Sequence, residues 1–310
     1  MAASFHLFDG DMTAVNCTGG SLAAMRSTIE DLILANDRRG MRAVRECLSA
    51  DFCRQAARFL LDHLARTVII TGFYVAGSVE TDGPPAAVLL GRVISRLGGW
   101  VAYVTDEPCT TLLKACLPEK VAVVDFPITT ESRSRRFAAH LSAGLQPTLL
   151  VAIERCAPSR DGRYRNMLGQ DISAVTARID CLFNGVATLA VADGGNEIGM
   201  GNVPVACLRK NGMTHPSRIR THRLVIGATS NWAVYGLIAQ LSILTGKQLL
   251  PSWAETDRLL RHMVTLGAVD GFSGRPEHKV DGFSLAANRR FHGTLSSYVR
   301  KHLRKNRQAL

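Results

Sequence analysis

The chain has 310 residues, enough to bury a substantial core in one large domain or two small ones, which excludes a peptide-like or disulfide-dependent scaffold. Hydrophobic residues make up 46%, charged residues 20% and aromatics 6%, an ordinary globular usage that excludes wholesale disorder and a fibrous repeat. Lys and Arg number 37 against 26 Asp and Glu, a net charge of +11; much of the excess lies in Arg289, Arg290, Arg300, Lys301, Arg304, Lys305 and Arg307, with a second cluster at Arg133, Arg135 and Arg136. No aromatic follows Tyr298, so the tail reads as a solvated helix and nucleic acid is not the expected partner.

From Ser21 to Leu64 the pattern is helical. Leu22, Met25, Ile29, Leu32 and Ile33 recur at three and four, and Ala56, Phe59, Leu60 and Leu64 do the same after a break at Arg39-Gly40. Residues 1–66 are therefore expected to form a helical lead-in and 67–310 the main domain. From Thr67 onward, short β-branched runs alternate with amphipathic stretches. Strands are expected at 68–71, 100–104, 121–125, 148–153, 188–192 and 224–226. A helix is expected over 86–97, with Pro84 and Pro85 before it and Gly98 and Gly99 after it. The loop-like run Arg209, Lys210, Asn211, Gly212 leaves a domain boundary near residue 210 as an alternative. Helices return at 233–244, 255–266 and 288–304, with a Gly-rich interruption at 267–282. Strands that are apolar throughout and separated by helices indicate an α/β fold: an open, mostly parallel sheet flanked by helices.

Eight cysteines, Cys17, Cys47, Cys53, Cys109, Cys116, Cys156, Cys181 and Cys207, contain no C-x-x-C pair and no nearby His at zinc-finger spacing. Structural zinc is not expected. The N-terminus carries no Lys or Arg ahead of an apolar stretch, and no apolar run reaches the roughly 18 residues a membrane span needs. The expectation is a cytoplasmic protein with reduced thiols and no membrane partner.

In an open parallel sheet, ligands sit outside the carboxyl ends of the strands. The residues expected there are chemically conspicuous: Thr71-Gly72, Asp106-Glu107, Asp125, Glu154-Arg155, the run Asp193-Gly194-Gly195-Asn196-Glu197, and Ser230-Asn231. The loop after the first strand also brings Asp82 to a helix start. Carboxylates converging on one edge raise each other's pKa, and a hard cation relieves that cost. Asp82, Glu154, Asp193 and Glu197 offer oxygen ligands suited to Mg²⁺ or Mn²⁺, and the scarcity of His argues against zinc. The plainer alternatives are that Asp82 caps the helix at Ala86 and that Glu154 pairs with Arg155 or Arg163. Ser230 and Asn231 read first as helix caps. DGGNEIGMGN at 193–202 lacks the lysine and spacing of a phosphate loop, so a nucleotide cradle is not indicated. A second Gly-rich stretch, 267–284, places His278 and Lys279 beside Asp270, Arg275 and Asp281; the ordinary reading of it is a surface turn. No G-x-S-x-G or H-E-x-x-H motif is present.

With these residues in view, the chain resembles the D-glutamate cyclase C-terminal domain family over about residues 40–300. The blocks that carry the resemblance are TGFYVAG (71–77), ETDGPPAAVLL (80–90), AIERCAPSRDGRYRNMLGQDIS (152–173), ADGGNEIGMGNV (192–203), GATSNWAVYGL (227–237) and EHKVDGFS (277–284). The resemblance implies a hydro-lyase that cyclises free D-glutamate to 5-oxo-D-proline with loss of water, acting on a small acidic amino acid with a divalent metal. On that footing Asp193, Glu197 or His278 is expected to take the ammonium proton. Thr71, Asn196 and Asn231 are expected to orient the substrate, and Arg155 or Lys279 to pair with its α-carboxylate. The rival reading is a metal-dependent phosphohydrolase, with Arg155, Arg163 or Arg165 on the phosphate. A homo-oligomer is compatible with either.

Overall fold

The computed structural model describes residues 27–107 and 109–308. Cys17, Ser21, Leu22 and Met25 of the expected lead-in lie outside the described residues. Six strands form one parallel sheet: β1 (Arg66–Thr71), β4 (Trp100–Thr105), β5 (Val123–Asp125), β6 (Leu149–Ile153), β7 (Ala187–Ala192) and β8 (Arg223–Ile226), in the order β5-β4-β1-β6-β7-β8. Two short hairpins, β2 (Tyr74–Val75) with β3 (Ser78–Val79) and β9 (Lys279–Val280) with β10 (Phe283–Ser284), stand outside it. All six expected strands are present, with ends shifted by one or two residues.

The strands are apolar throughout because helices cover both faces. Val68, Ile70, Ala102, Val104 and Leu150 point to one face, where they meet Phe126, Ala138 of the helix Glu131–Leu145, and Ile179. Ile69, Val101, Tyr103, Leu149 and Val151 point to the other. There they pack with the helices Phe52–His63, Pro84–Arg96 and Ser230–Thr245. The last of these is apolar on every side, as a helix enclosed by others must be.

The lead-in shares this second core. Ile29 and Ile33, from the helix Ile29–Ile33, pack against the Ser230–Thr245 helix, and Ala228 donates its N–H to the Ile33 carbonyl at 2.8 Å. Near residue 210 the structure differs from the loop reading. A short helix, Val205–Lys210, carries Arg209 and Lys210 in its last turn, and the reversal comes at Asn211 and Gly212. Six residues with one buried apolar side chain, Leu208, are too few to show a helical period.

The topology positions the site. The chain moves from β1 outward to β4 and β5, then crosses back to β6 on the other side of β1 and continues to β7 and β8. Consecutive connections therefore diverge between β1 and β6, which opens a crevice at their carboxyl ends. Among the described residues no helix is long and apolar enough to cross a membrane.

Candidate functional site

The carboxyl ends of β1, β6 and β7 deliver the first acidic groups. Glu154, directly after β6, holds a left-handed backbone at φ 44°, which turns its side chain back over the sheet edge. Its Oε2 accepts the Ser230 hydroxyl at 2.6 Å. Asp82 arrives on the connection from β1 and is gripped by two N–H groups at the start of the Ser230–Thr245 helix, Ser230 and Asn231, each at 2.7 Å. Asp82 thus complements the positive end of that helix and not the one beginning at Pro84. The cap of the Ser230–Thr245 helix is Thr229, whose hydroxyl accepts the Trp232 N–H, so Ser230 is freed to bind Glu154. Gly83 makes the close approach feasible: its φ is 95°, and a Cβ there would lie 2.7 Å from the Glu154 Cβ.

Asp193 follows β7, and the glycines after it let Glu197 fold back beside it. A Cβ on Gly194 would lie 2.6 Å from the Glu197 Oε1. Two further carboxylates enter from elsewhere. Glu80 is aligned by a parallel bridge to Val269, and Asp281 sits at the turn of the β9–β10 hairpin with φ 50°. Asp270 secures that hairpin by accepting N–H bonds from Ser273 at 2.9 Å and Gly282 at 2.7 Å. Glu80, Asp82, Glu154, Asp193, Glu197 and Asp281 are all buried.

One guanidinium faces them. Arg39 Nη1 donates to Asp193 Oδ1 at 2.5 Å, and Arg39 Nη2 lies 2.9 Å from Asp281 Oδ2. The lead-in turn that presents Arg39 is shaped by Asp37, whose carboxylate accepts the N–H groups of Arg39 at 2.9 Å and Arg42 at 2.8 Å.

Burial is the main force on these carboxyls, since it disfavours the charged form. It raises Asp82 to about 7, with Asp281 adding to the rise and the helix N–H groups and Arg39 opposing it. Burial likewise pushes Glu80, Glu154, Asp193 and Asp281 well above the ordinary carboxylate range, reinforced by neighbouring carboxylates. Glu197 is raised by burial against the opposing pull of Arg39 and nearby backbone N–H groups.

Oxygen atoms of Asp82, Asp193 and Asp281 lie within 4.8 Å of one another, and so do those of Glu154, Asp193 and Glu197, so Asp193 belongs to both triads. Asp193 Oδ2 and both oxygens of Glu197 are buried without a hydrogen-bond partner. Buried acceptors left unpaired are costly, and a hard divalent cation satisfies several at once. The donor set, all carboxylate oxygen, fits Mg²⁺ or Mn²⁺.

Of the sequence-derived metal set, Glu154, Asp193 and Glu197 fall in one triad and Asp82 in the other, the two joined by Asp193. Other candidates stand apart from it. Arg155 is buried and committed to a bidentate pair with Asp106 at 2.7 and 2.6 Å, with further bonds to the carbonyls of Gly72 and Ala177. His278 is exposed, and Lys279 pairs with Glu277 at 2.8 Å near the surface. Asn231 spends its side chain on Thr81 and Gly83, bracing the loop that carries Asp82. Thr71 is buried with its hydroxyl unpaired. Asn196 donates to the Arg165 carbonyl at 2.7 Å and lines a cavity of about 240 Å³ together with Arg39, Gly194, Gly195, Met213 and His215. Arg163 and Arg165 are paired with Asp171 and Asp161.

The family described as D-glutamate cyclase-like, C-terminal, matches residues 29–296. The chain belongs to that family. It is 29% identical over 308 residues to the mitochondrial D-glutamate cyclase of Homo sapiens, an alignment covering 84% of this chain and 49% of that protein. The chain thus spans about half the length of the curated relative it matches. Among solved structures, RecJ in complex with Mn²⁺ from Thermus thermophilus aligns with 77% of this chain and 28% of that one, at 14% identity and a TM-score of 0.37. That likeness is too slight to transfer anything.

In this D-glutamate cyclase-like chain, sequence reasoning passed over Arg39, Glu80 and Asp281 as site residues. Glu80 and Asp281 lay inside segments already conspicuous, ETDGPP and EHKVDGFS, and the spacing of Glu80 and Asp82 at i and i+2 was the available signal. Arg39 offered none, because beside Gly40 it reads only as a helix break.

Proposed function

We propose that the chain is a hydro-lyase that cyclises D-glutamate, or a closely related acidic amino acid, to 5-oxo-D-proline with loss of water, assisted by Mn²⁺ or Mg²⁺. The observation that carries this reading is the placement of Asp193 in two triads of buried carboxylates with unpaired oxygens, in a member of this family. Glu154, Asp193 and Glu197 are the residues that would hold the cation, with Asp82 and Asp281 joined to them through Asp193. When bound, it supplies Lewis-acid polarisation of the γ-carboxyl group and stabilises the charge developing on its oxygen.

The rest falls to the chain. Cyclisation requires the α-ammonium group to give up two protons, one before and one after its nitrogen attacks the γ-carboxyl carbon, and one oxygen of that carboxylate to take up two protons and leave as water. Glu197, buried and with unpaired Oε atoms, is placed to accept the ammonium proton, a role better suited to it than to the exposed His278. Glu80, whose carboxyl burial and the neighbouring Asp281 and Asp82 push upward, is the group assigned to hand a proton to the departing oxygen. Arg39 lends a positive wall to the adjoining cavity, which favours an acidic ligand, and Asn196 orients it there. Arg155 braces the sheet edge through Asp106, and Lys279 serves Glu277. Arg155 and Arg165 are engaged with Asp106 and Asp161, which favours the cyclase reading over a phosphohydrolase that would use them to hold phosphate. A cytoplasmic location is part of the same proposal.

Formation of 5-oxo-D-proline from D-glutamate, measured with Mn²⁺, with Mg²⁺ and with a chelator, tests the reading. Metal-dependent turnover of D-glutamate is expected, with a generic phosphate ester left intact. Hydrolysis of the ester and an inert D-glutamate would overturn it.

A further inference from the structure

The two triads around Asp193 differ in what already faces them. In the first, Asp82 receives two helix N–H groups at 2.7 Å, Arg39 donates to Asp193 at 2.5 Å, and Asp281 lies 2.9 Å from the other terminal nitrogen of Arg39 as an ion pair without a hydrogen bond. In the second, Glu154 receives only the Ser230 hydroxyl, and the oxygens of Glu197 have no partner although the residue is 1% exposed. Arg39 therefore reaches two carboxylates of the first triad and only the shared Asp193 of the second.

We infer that Arg39 occupies the place of a second cation, so that the chain takes up a single divalent ion, held by Glu154, Asp193 and Glu197. This rests on the reading of the carboxylate cluster as a metal site. A guanidinium is planar, permanently charged and weakly hydrated, and its two terminal nitrogens span neighbouring carboxylates as a fork. Its position is built into the fold, since the Asp37 turn fixes the backbone from which it reaches. A divalent ion in the Asp82, Asp193, Asp281 triad would lie against that guanidinium, and like charges a few Å apart at low dielectric repel strongly. In the Glu154, Asp193, Glu197 triad the guanidinium binds only the shared Asp193, and only through Oδ1, leaving Oδ2 unpaired. Both triads hold unpaired buried acceptors, but those of Asp281 lie beside Arg39 in an ion pair, whereas those of Glu197 have no ion pair and so have most to gain from an ion.

Mn²⁺ titration of the full chain, following free Mn²⁺ by electron paramagnetic resonance and retained metal after gel filtration, tests the assignment without reference to turnover. One ion per chain is expected. Glu197→Gln should weaken uptake by about 100-fold or more, at or beyond the upper end of the roughly 10–100-fold lost when a group that only supports a ligand is removed. Arg39→Met should raise the stoichiometry to two, because it leaves Asp281 and Asp193 without their counter-charge. Should Arg39→Met fail to fold by circular dichroism, Asp281→Asn carries the test: it removes a carboxylate of the first triad only and should still bind one ion. Two ions in the native chain, undiminished uptake in Glu197→Gln, loss of the ion in Asp281→Asn, or a folded Arg39→Met that binds one ion would each overturn the inference and leave the metal-site reading intact. No ion in the native chain would overturn both.

Discussion

Asp193 carries more of the site than any other residue, because it is shared by both triads and tied to Arg39. Asp193→Asn keeps the shape and removes the charge. Cyclisation should fall by about 10²–10³-fold, the scale of losing transition-state charge stabilisation. The chain should be destabilised but still fold, since Arg39 loses Asp193 as counter-charge and keeps Asp281; turnover measured beside a thermal melt separates the two effects. Ser230→Ala acts through a neighbour. It deletes the hydroxyl bonded to Glu154 Oε2 and leaves that oxygen without its protein donor, a loss of about 1–3 kcal/mol on the scale of an orphaned buried acceptor. Urea denaturation of the metal-free protein measures it, and an unchanged midpoint would contradict the role given to that bond.

At the scale of elements, the six strands were legible because a sheet covered on both faces demands unbroken apolar runs, and Val68 to Thr71 or Thr188 to Ala192 satisfy that demand with few competing readings. The helix Glu131–Leu145 was not foreseen. Only Ser134 and Ala138 are fully buried on it, and the arginines Arg133, Arg135 and Arg136 that stood out as a charge cluster decorate its solvent side. Part of the site was legible for a related reason. Residues that end strands are fixed in space by the sheet, so Glu154 and Asp193 could be placed from sequence alone. Arg39 and Asp281 could not, because a turn and a two-residue hairpin bring them in through contacts with no periodic trace. Arg155 shows the converse: its position after β6 was legible, while its partner Asp106, at the end of β4, was a matter of packing. Arg155 ties three segments together through Asp106, Gly72 and Ala177. Arg155→Met should therefore destabilise the fold by about 3–5 kcal/mol, as when a buried ion pair loses one member. Combining it with Asp106→Leu should recover part of that loss in a double-mutant cycle of denaturation free energies. A normal melt for Arg155→Met with a raised KM would instead return the residue to substrate binding.

For the molecule as a whole, six buried carboxyls around one guanidinium make stability depend on proton and metal together. Each is raised above its unfolded value by burial, so each contributes stability that is complete at low pH and is lost as pH rises through its folded pKa. For Asp82 the loss runs from its ordinary 3.8 to about 7, against the donors Ser230, Asn231 and Arg39 and beside the carboxyl of Asp281. His292 opposes the trend, since burial lowers its pKa and its contribution is lost as pH falls. The carboxyls outnumber it, so the metal-free protein should melt at a higher temperature near about pH 5 than near about pH 8. A divalent ion needs the ionised forms and competes with protons for them. Saturating Mn²⁺ should therefore add little at the acid end and most at the alkaline end, reversing the slope of melting temperature against pH. Scanning calorimetry across that range, with Mn²⁺ and with chelator, measures both slopes. Parallel slopes would mean that the ion binds without engaging these carboxylates, and the cluster would then be a purely structural network.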